Sequence, residues 1–228
     1  MKGNIDLSVG VVAKLVFLYL TRPPPRCKFI QRELDISSAT IVDYFSFIRE
    51  VFIYWASKNS EVIGGEGKIV EIDEAKIGKR KYNKGRYLEG QWVFGGIERG
   101  SRKFFMVAVE DRSLQTLLSI IRDKIRPNTT IHTDGWKSYD CLDENSYSHL
   151  TVNHSVNFVD PHTGTHTQNV ERMWLEVRKL VPRFGRKKTH YEGYLSECLF
   201  IMRHRDHRTR FHAFWKLAGE LYPGLPHE

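Results

Sequence analysis

Cysteine is scarce. Cys27, Cys141 and Cys198 are the whole complement of 228 residues, far apart and in no CxxC pair, which excludes a cysteine-based zinc knuckle. Their spacing fits reduced, buried or half-buried thiols of a cytosolic or nuclear protein. Long apolar runs are missing too. The stretch 9–20 contains Lys14 and falls short of the roughly 20 residues that a bilayer-spanning helix needs. No signal peptide, and so no membrane partner, is expected. Internal repeats and low-complexity tracts are absent. Acidic charge is in deficit: 27 Asp and Glu stand against 35 Lys and Arg, a formal +8 with a pI near 9.4. That balance favours a polyanionic partner, nucleic acid before anionic membrane.

Apolar residues are plentiful. A 41% hydrophobic and 12% aromatic composition can build a packed core and excludes wholesale disorder. Residues 1–58 read as all-helical. The spacing predicts helices over 9–20 and 27–34, the first ending before Pro23, Pro24 and Pro25, through which a helix cannot continue. A turn at Asp35-Ile36-Ser37 follows, with Ser37 or Ser38 as N-cap of a third helix. In that helix Ile41, Phe45, Ile48, Phe52 and Trp55 recur at helical spacing. A short helix, a tight turn and a longer helix suggest a helix-turn-helix. Asp43 and Glu50 on the exposed face fit a groove reader poorly and leave a plain helical packing module as the alternative.

The glycine-rich stretch 59–68 reads as a linker. Strands are predicted over 69–77, 91–98, 103–109, 129–134 and 149–153, with helices over 113–125, 167–181, 191–204 and 211–221. This is an α/β order. The expected division is a helical DNA-binding domain over 1–58, a linker over 59–68, a catalytic domain over 69–210 and a C-terminal helix or tail over 211–228.

Three acids stand out. In KIVEIDEAKIG, strand alternation puts Glu71 and Asp73 on one face and Val70, Ile72 and Glu74 on the other. A carboxylate inside an apolar strand is costly to bury without a partner or a metal. The fourth strand ends at Asp134, where α/β folds commonly place chemistry, although strand-end aspartates also merely cap turns. Glu171 lies in HTQNVERMWLEVRK, whose Val170, Trp174, Val177 and Val181 recur as a core stripe. Asp73, Asp134 and Glu171 thus come from two strands and a helix. Oxygen ligands of this kind suit Mg2+ or Mn2+. Two such ions can activate a water and steady the leaving oxygen in phosphodiester cleavage. Metal would also reconcile an acidic cluster with a basic, DNA-attracting chain.

The stretches EIDEAKIGKRKYNKGR (71–86), HTDGWKSY (132–139) and VNHSVNFVDPHTGTHTQNVERMW (152–174) resemble the DDE transposases. The resemblance is closest to the Merlin group of eukaryotic DNA transposons and its bacterial insertion-sequence relatives. It covers roughly residues 68–205. It implies an RNase H-like α/β fold, a mixed sheet flanked by helices, with Asp73, Asp134 and Glu171 as the catalytic, metal-binding triad and Mg2+ or Mn2+ as cofactor. The 36 residues between Asp134 and Glu171 are typical of such enzymes. A basic residue seven positions after the last acid is a family feature, and here it is Arg178. Some relatives use asparagine as the third residue, which makes Asn169 a rival to Glu171.

Two basic runs are expected to contact phosphates without reading sequence. One holds Lys76, Lys79, Arg80, Lys81, Lys84 and Arg86; the other holds Arg178, Lys179, Arg183, Arg186, Lys187 and Lys188. The run from Arg203 to Arg210 reads as an exposed helix end. His132 shares the strand face of Asp134 and reads as a core or supporting residue. His162 and His166 lack a third zinc ligand at a convincing spacing. Thr165 to Gln168 matches a capping box for the helix of Glu171. The expected protein is a transposase that cleaves transposon ends and joins them to target DNA as a homo-oligomer. Its location would be the nucleus, or the cytoplasm and nucleoid in a bacterium. A DNA-binding protein without catalysis and an RNase H-like nuclease are the alternatives.

Overall fold

A computed structural model describes residues 7–21, 27–78, 90–134, 142, 146–152, 159–182 and 187–223. Packing divides the chain into a helical unit, residues 1–59, 179–185 and 192–228, and a sheet unit, residues 60–178 and 186–191.

The sheet unit is built on five strands: β2 (Ile69–Ile77), β3 (Gln91–Glu98), β4 (Phe104–Val109), β6 (Thr130–Asp134) and β7 (Ser148–Val152). Their order is β4-β3-β2-β6-β7. β2, β3 and β4 pair antiparallel, whereas β2, β6 and β7 run parallel. Three antiparallel strands followed by parallel strands added beside the first is the topology of an RNase H-like sheet. Helices cover it, as the resemblance implies. The expected bounds of β2 and β3 coincide with the observed ones.

The stretch expected to be only a linker contains a short strand, β1 (Ile63–Gly64), parallel to β5 (Ile125–Arg126). Buried Ile63 and two side-chain acceptors hold it in place. The Gly64 N–H donates to Glu98 Oε2 at 2.8 Å, and the Gly65 N–H donates to Thr129 Oγ1 at 2.8 Å.

The two faces of the sheet have different covers. Val70, Ile72, Phe94 and Ile131 pack with Leu117 and Ile121 of α4 (Leu114–Lys124), whose N-cap Ser113 accepts from the Thr116 N–H. On the other face lies α5 (Gln168–Leu180), with Val170, Met173, Trp174 and Val177 buried. Its close seat depends on Gly95, which stands opposite Asp73 in the register. A Cβ there would lie 2.8 Å from Trp174 Cη2 and 3.0 Å from both Met173 Cε and the Phe105 carbonyl oxygen, so an added side chain would force these neighbours to shift.

In the helical unit α1 (Val9–Thr21), α2 (Cys27–Leu34), α3 (Ser38–Lys58), α6 (Tyr191–Arg203) and α7 (His207–Leu221) surround one core. Leu15, Tyr19, Ile30, Ile41, Phe52, Phe200 and Phe214 are among its buried residues. The boundaries therefore differ from the expected ones at 210 and 211. α7 is part of this core through Phe214, and α6 joins it through Phe200 and Ile201. Ser37 caps α3, accepting from the Thr40 N–H at 3.1 Å, and Asp35 takes a φ of 50° in the preceding turn. Asparagine and aspartate tolerate that left-handed conformation better than most residues. On the exposed side of α3, Glu50 accepts from the Tyr222 hydroxyl and Phe47 meets the Tyr222 ring edge-on.

The run from Arg203 to Arg210 is not simply a solvated helix end. Arg210 is buried. Its guanidinium donates to the carbonyls of His204, Leu20 and Arg205, closing the carbonyl ends of α1 and α6. A basic residue in a basic run looks solvated until the carbonyls that need it are known.

Candidate active site on β2, β6 and α5

Asp73 lies in the middle of β2, two residues beyond the paired stretch Ile69–Glu71 that it shares with β6, and Asp134 ends β6. The parallel register Ile69 with Thr130, Val70 with Ile131 and Glu71 with His132 carries on to put the two aspartates on neighbouring strands with the same facing. The first turn of α5, with Glu171, lies over that face. Asp73 responds to both neighbours. Its carboxyl is pushed up to about 7, first by burial, then by the charges of Asp134 and, more weakly, Glu171. The Glu74 N–H, donating to Asp73 Oδ1 at 2.8 Å, opposes the rise. The indole N–H of Trp174 also favours the Asp73 anion but forms no closed hydrogen bond among the described residues.

Strand alternation puts Glu74 on the opposite face, yet it is electrostatically part of this group. Burial, then Asp73, then Asp134 push its carboxyl up to about 8, with Arg112 acting against them. Alternation gives the facing of Glu74 but not its coupling to Asp73 and Asp134. Arg112 also lies over the Trp92 ring, its Cζ 4.0 Å from the centroid, with Lys76 Nζ at 5.4 Å.

Glu171 accepts from Thr167 Oγ1 at 3.2 Å. The helix begins at Gln168 and the Glu171 N–H bonds the Thr167 carbonyl, so Thr167 occupies the cap position. The expected capping box from Thr165 to Gln168 is therefore displaced. Thr165 instead shares a hydrogen bond with Thr163.

Asn169 faces a different partner from Glu171. Its side-chain Nδ2 donates to Glu71 Oε1 at 2.7 Å and its backbone N–H donates to Glu71 Oε2 at 2.8 Å. Glu71 is 0% exposed and is also paired with Arg99 Nε at 2.6 Å. The burial cost anticipated for a carboxylate in this strand is thus offset at Glu71 by an arginine and a helix terminus. His132 is buried beside this group, and burial, then Arg99, lower its pKa to about 4. It is a packed neutral imidazole.

The three acids are neighbours, but among the described residues no group of three or more His, Cys, Asp or Glu closes on a common point as metal ligands would. The donor set itself, two half-buried aspartates and an exposed glutamate offering only carboxylate oxygens, fits a hard divalent cation. Of the basic residues, Arg178, Lys179, Lys187 and Lys188 are exposed, and Arg178 follows Glu171 by two helical turns on the same side of α5. Lys79, Arg80, Lys81, Lys84, Arg86, Arg183 and Arg186 lie outside the described residues. No helix among the described residues is long and apolar enough to cross a membrane.

Residues 63–212 match the family model of the ISXO2-like transposase domain, and the chain belongs to that family. An uncharacterized transposase-like protein of Haemophilus influenzae is 36% identical over 97 residues, covering 42% of this chain and 77% of that relative. Among solved structures, a chain of the simian T-cell lymphotropic virus intasome in complex with the PP2A regulatory subunit B56 gamma matches with a TM-score of 0.41 and 14% identity. That match covers 95% of this chain and 76% of the other.

Proposed function

We propose that the protein is a DDE-type DNA transposase that cleaves phosphodiester bonds at the ends of its element and joins the released 3′-hydroxyl to target DNA. The observation that carries this reading is the response of Asp73, whose carboxyl is raised to about 7 by burial and by the charges of Asp134 and Glu171. An acid that its neighbours hold against ionisation is a candidate for binding a counter-charge there. Family membership supports the same class of chemistry.

Asp73, Asp134 and Glu171 would hold Mg2+ or Mn2+. When bound, such ions supply a lowered pKa for an attacking water and charge stabilisation for the leaving oxygen. The remaining tasks fall to the chain. The middle of β2 and the end of β6 position the two aspartates, and α5 positions Glu171 over them. Arg178, Lys187 and Lys188, with Lys79, Arg80, Lys81, Lys84, Arg86, Lys179 and Arg186, would neutralise DNA phosphates. No side chain needs to form a covalent intermediate, because water and then the 3′-hydroxyl are the nucleophiles. End recognition is assigned to α2 and the start of α3 as a helix-turn-helix, and joining of two ends to a homo-oligomer.

The test is the conversion of supercoiled plasmid to nicked or joined product by the full chain. Activity with Mg2+ or Mn2+, its loss in chelator and its loss in Asp73→Asn are the expected results. Nicking that persists in chelator would exclude the metal mechanism.

A further inference from the structure

Glu71 has two oxygens, and both are spoken for by the start of one helix. Oε1 accepts from Arg99 Nε at 2.6 Å and Asn169 Nδ2 at 2.7 Å. Oε2 accepts from the backbone N–H groups of Asn169 at 2.8 Å and Val170 at 3.1 Å. Arg99 reaches further, its Nη2 donating to the His166 carbonyl at 2.7 Å, so the chain entering α5 is tied to the same arginine. A negative charge at a helix N-terminus, meeting otherwise orphaned N–H groups, is a favourable and directional contact.

The placement matters more than the strength. Glu71 and Asp73 are two residues apart on one face of β2, about 6.5–7 Å along the strand. Asn169 and Val170 immediately precede Glu171 on α5. Fixing the first turn of α5 on Glu71 therefore fixes the height and rotation of Glu171 with respect to Asp73. Val170, Trp174 and Val177 also seat the helix, but apolar burial is non-directional and leaves sliding and rotation weakly determined. The acids add a load, since the charges of Asp134 and Glu171 both act against the Asp73 anion.

We propose that Glu71, with Arg99 and Asn169, is a clamp of positioning residues that holds Glu171 in register with Asp73 for metal binding. This rests on the transposase reading for the metal and on the hydrogen bonds alone for the clamp. It also gives Asn169 a role other than that of the third ligand. Its amide nitrogen is committed to Glu71.

Three measurements on the full chain test it: hydrogen exchange of the α5 amides, Mn2+ binding followed by the electron paramagnetic resonance of free Mn2+, and DNA binding in Ca2+. In Glu71→Gln an amide nitrogen replaces one acceptor and meets donors. Exchange in the first turn of α5 should rise about tenfold or more while β2 stays protected, and Mn2+ affinity should fall about 10- to 100-fold, as for other residues that orient a ligand. DNA affinity in Ca2+ should stay within about twofold, which general unfolding would not allow. Asn169→Ala, at an exposed position, should shift exchange and Mn2+ affinity the same way by about two- to fivefold. It decides the matter if Glu71→Gln does not fold. A folded Glu71→Gln protein with unaltered exchange and Mn2+ affinity overturns the clamp, as does an Asn169→Ala protein unchanged in both if it is the only one that folds. An unaltered protein that binds no Mn2+ overturns the transposase reading itself, and the exchange data then show separately whether the hydrogen-bond clamp exists.

Discussion

Replacing Asp73 by asparagine should stabilise the metal-free protein at neutral and alkaline pH. In the unfolded chain this carboxyl titrates at its ordinary value of 3.8, and in the fold at about 7. An acid whose folded pKa is raised makes the fold less stable as pH climbs between those two values, and the cost is constant above the higher one. At 1.36 kcal/mol per pH unit the span is worth about 4 kcal/mol as a ceiling. Part of the rise comes from Asp134 and Glu171, which can relax away from an ionised Asp73. A gain of about 1–3 kcal/mol for Asp73→Asn at pH 8 is the realistic expectation. In a unit of this size that corresponds to about 3–8 °C in Tm. Urea and thermal unfolding in chelator, followed by circular dichroism at pH 5, 6, 7 and 8, would measure it. The advantage of the variant should shrink steadily below pH 7 and approach zero near pH 4. Saturating Mn2+ should raise the Tm of the unaltered protein and leave that of the variant nearly unchanged. A variant no more stable than its parent at pH 8, or a difference independent of pH, would refute the reasoning.

Glu171→Gln should abolish cleavage with fold and DNA binding intact, whereas Asn169→Ala should leave measurable cleavage in the same Mg2+-dependent nicking assay; the opposite order would make asparagine the third ligand. Gly95→Ala forces a methyl against Trp174 and Met173 and should cost about 1–3 kcal/mol in unfolding experiments, with cleavage lost faster than DNA binding. Exchanging Arg178, Lys187 and Lys188 for alanine should weaken binding to unrelated duplexes equally and flatten the dependence of log affinity on log salt by about one for each phosphate no longer neutralised. In the helical unit, Glu197 is pushed up to about 7 by burial, although the Tyr19 hydroxyl donates to it at 2.8 Å. Glu197→Gln should therefore stabilise that unit increasingly from pH 5 to above 7, as read by urea unfolding.

Much of this architecture is legible in the chain because apolar residues recur at strand and helix spacing in its main elements. The alternation in KIVEIDEAKIG marks β2 and separates Glu71 and Asp73 from Glu74, and the stripe from Val170 to Val181 marks α5. What periodicity cannot supply is the partner across the fold. Glu71 reads as a costly charge because Arg99 and Asn169 are distant in sequence. Arg210 reads as solvated because the carbonyl of Leu20, which it closes, is near the other end of the chain. β1 is invisible for a similar reason, since two residues carry no pattern and only pairing with β5 makes them a strand. α6 is buried on nearly every side and α7 on part of its surface, but neither pattern says which core the helix joins.

The most direct test of the central claim uses the intact protein and a duplex carrying the DNA that flanks its gene, ending in a free 3′-hydroxyl. Incubated with plasmid and Mg2+ or Mn2+, the unaltered protein should join that end to the plasmid, and Asp73→Asn, Asp134→Asn and Glu171→Gln should each bind the DNA without joining it. Ca2+ should support binding without joining. Joining by any of the three variants at the rate of the unaltered protein, or joining undiminished in chelator, would contradict the assignment of these acids as the metal-binding centre.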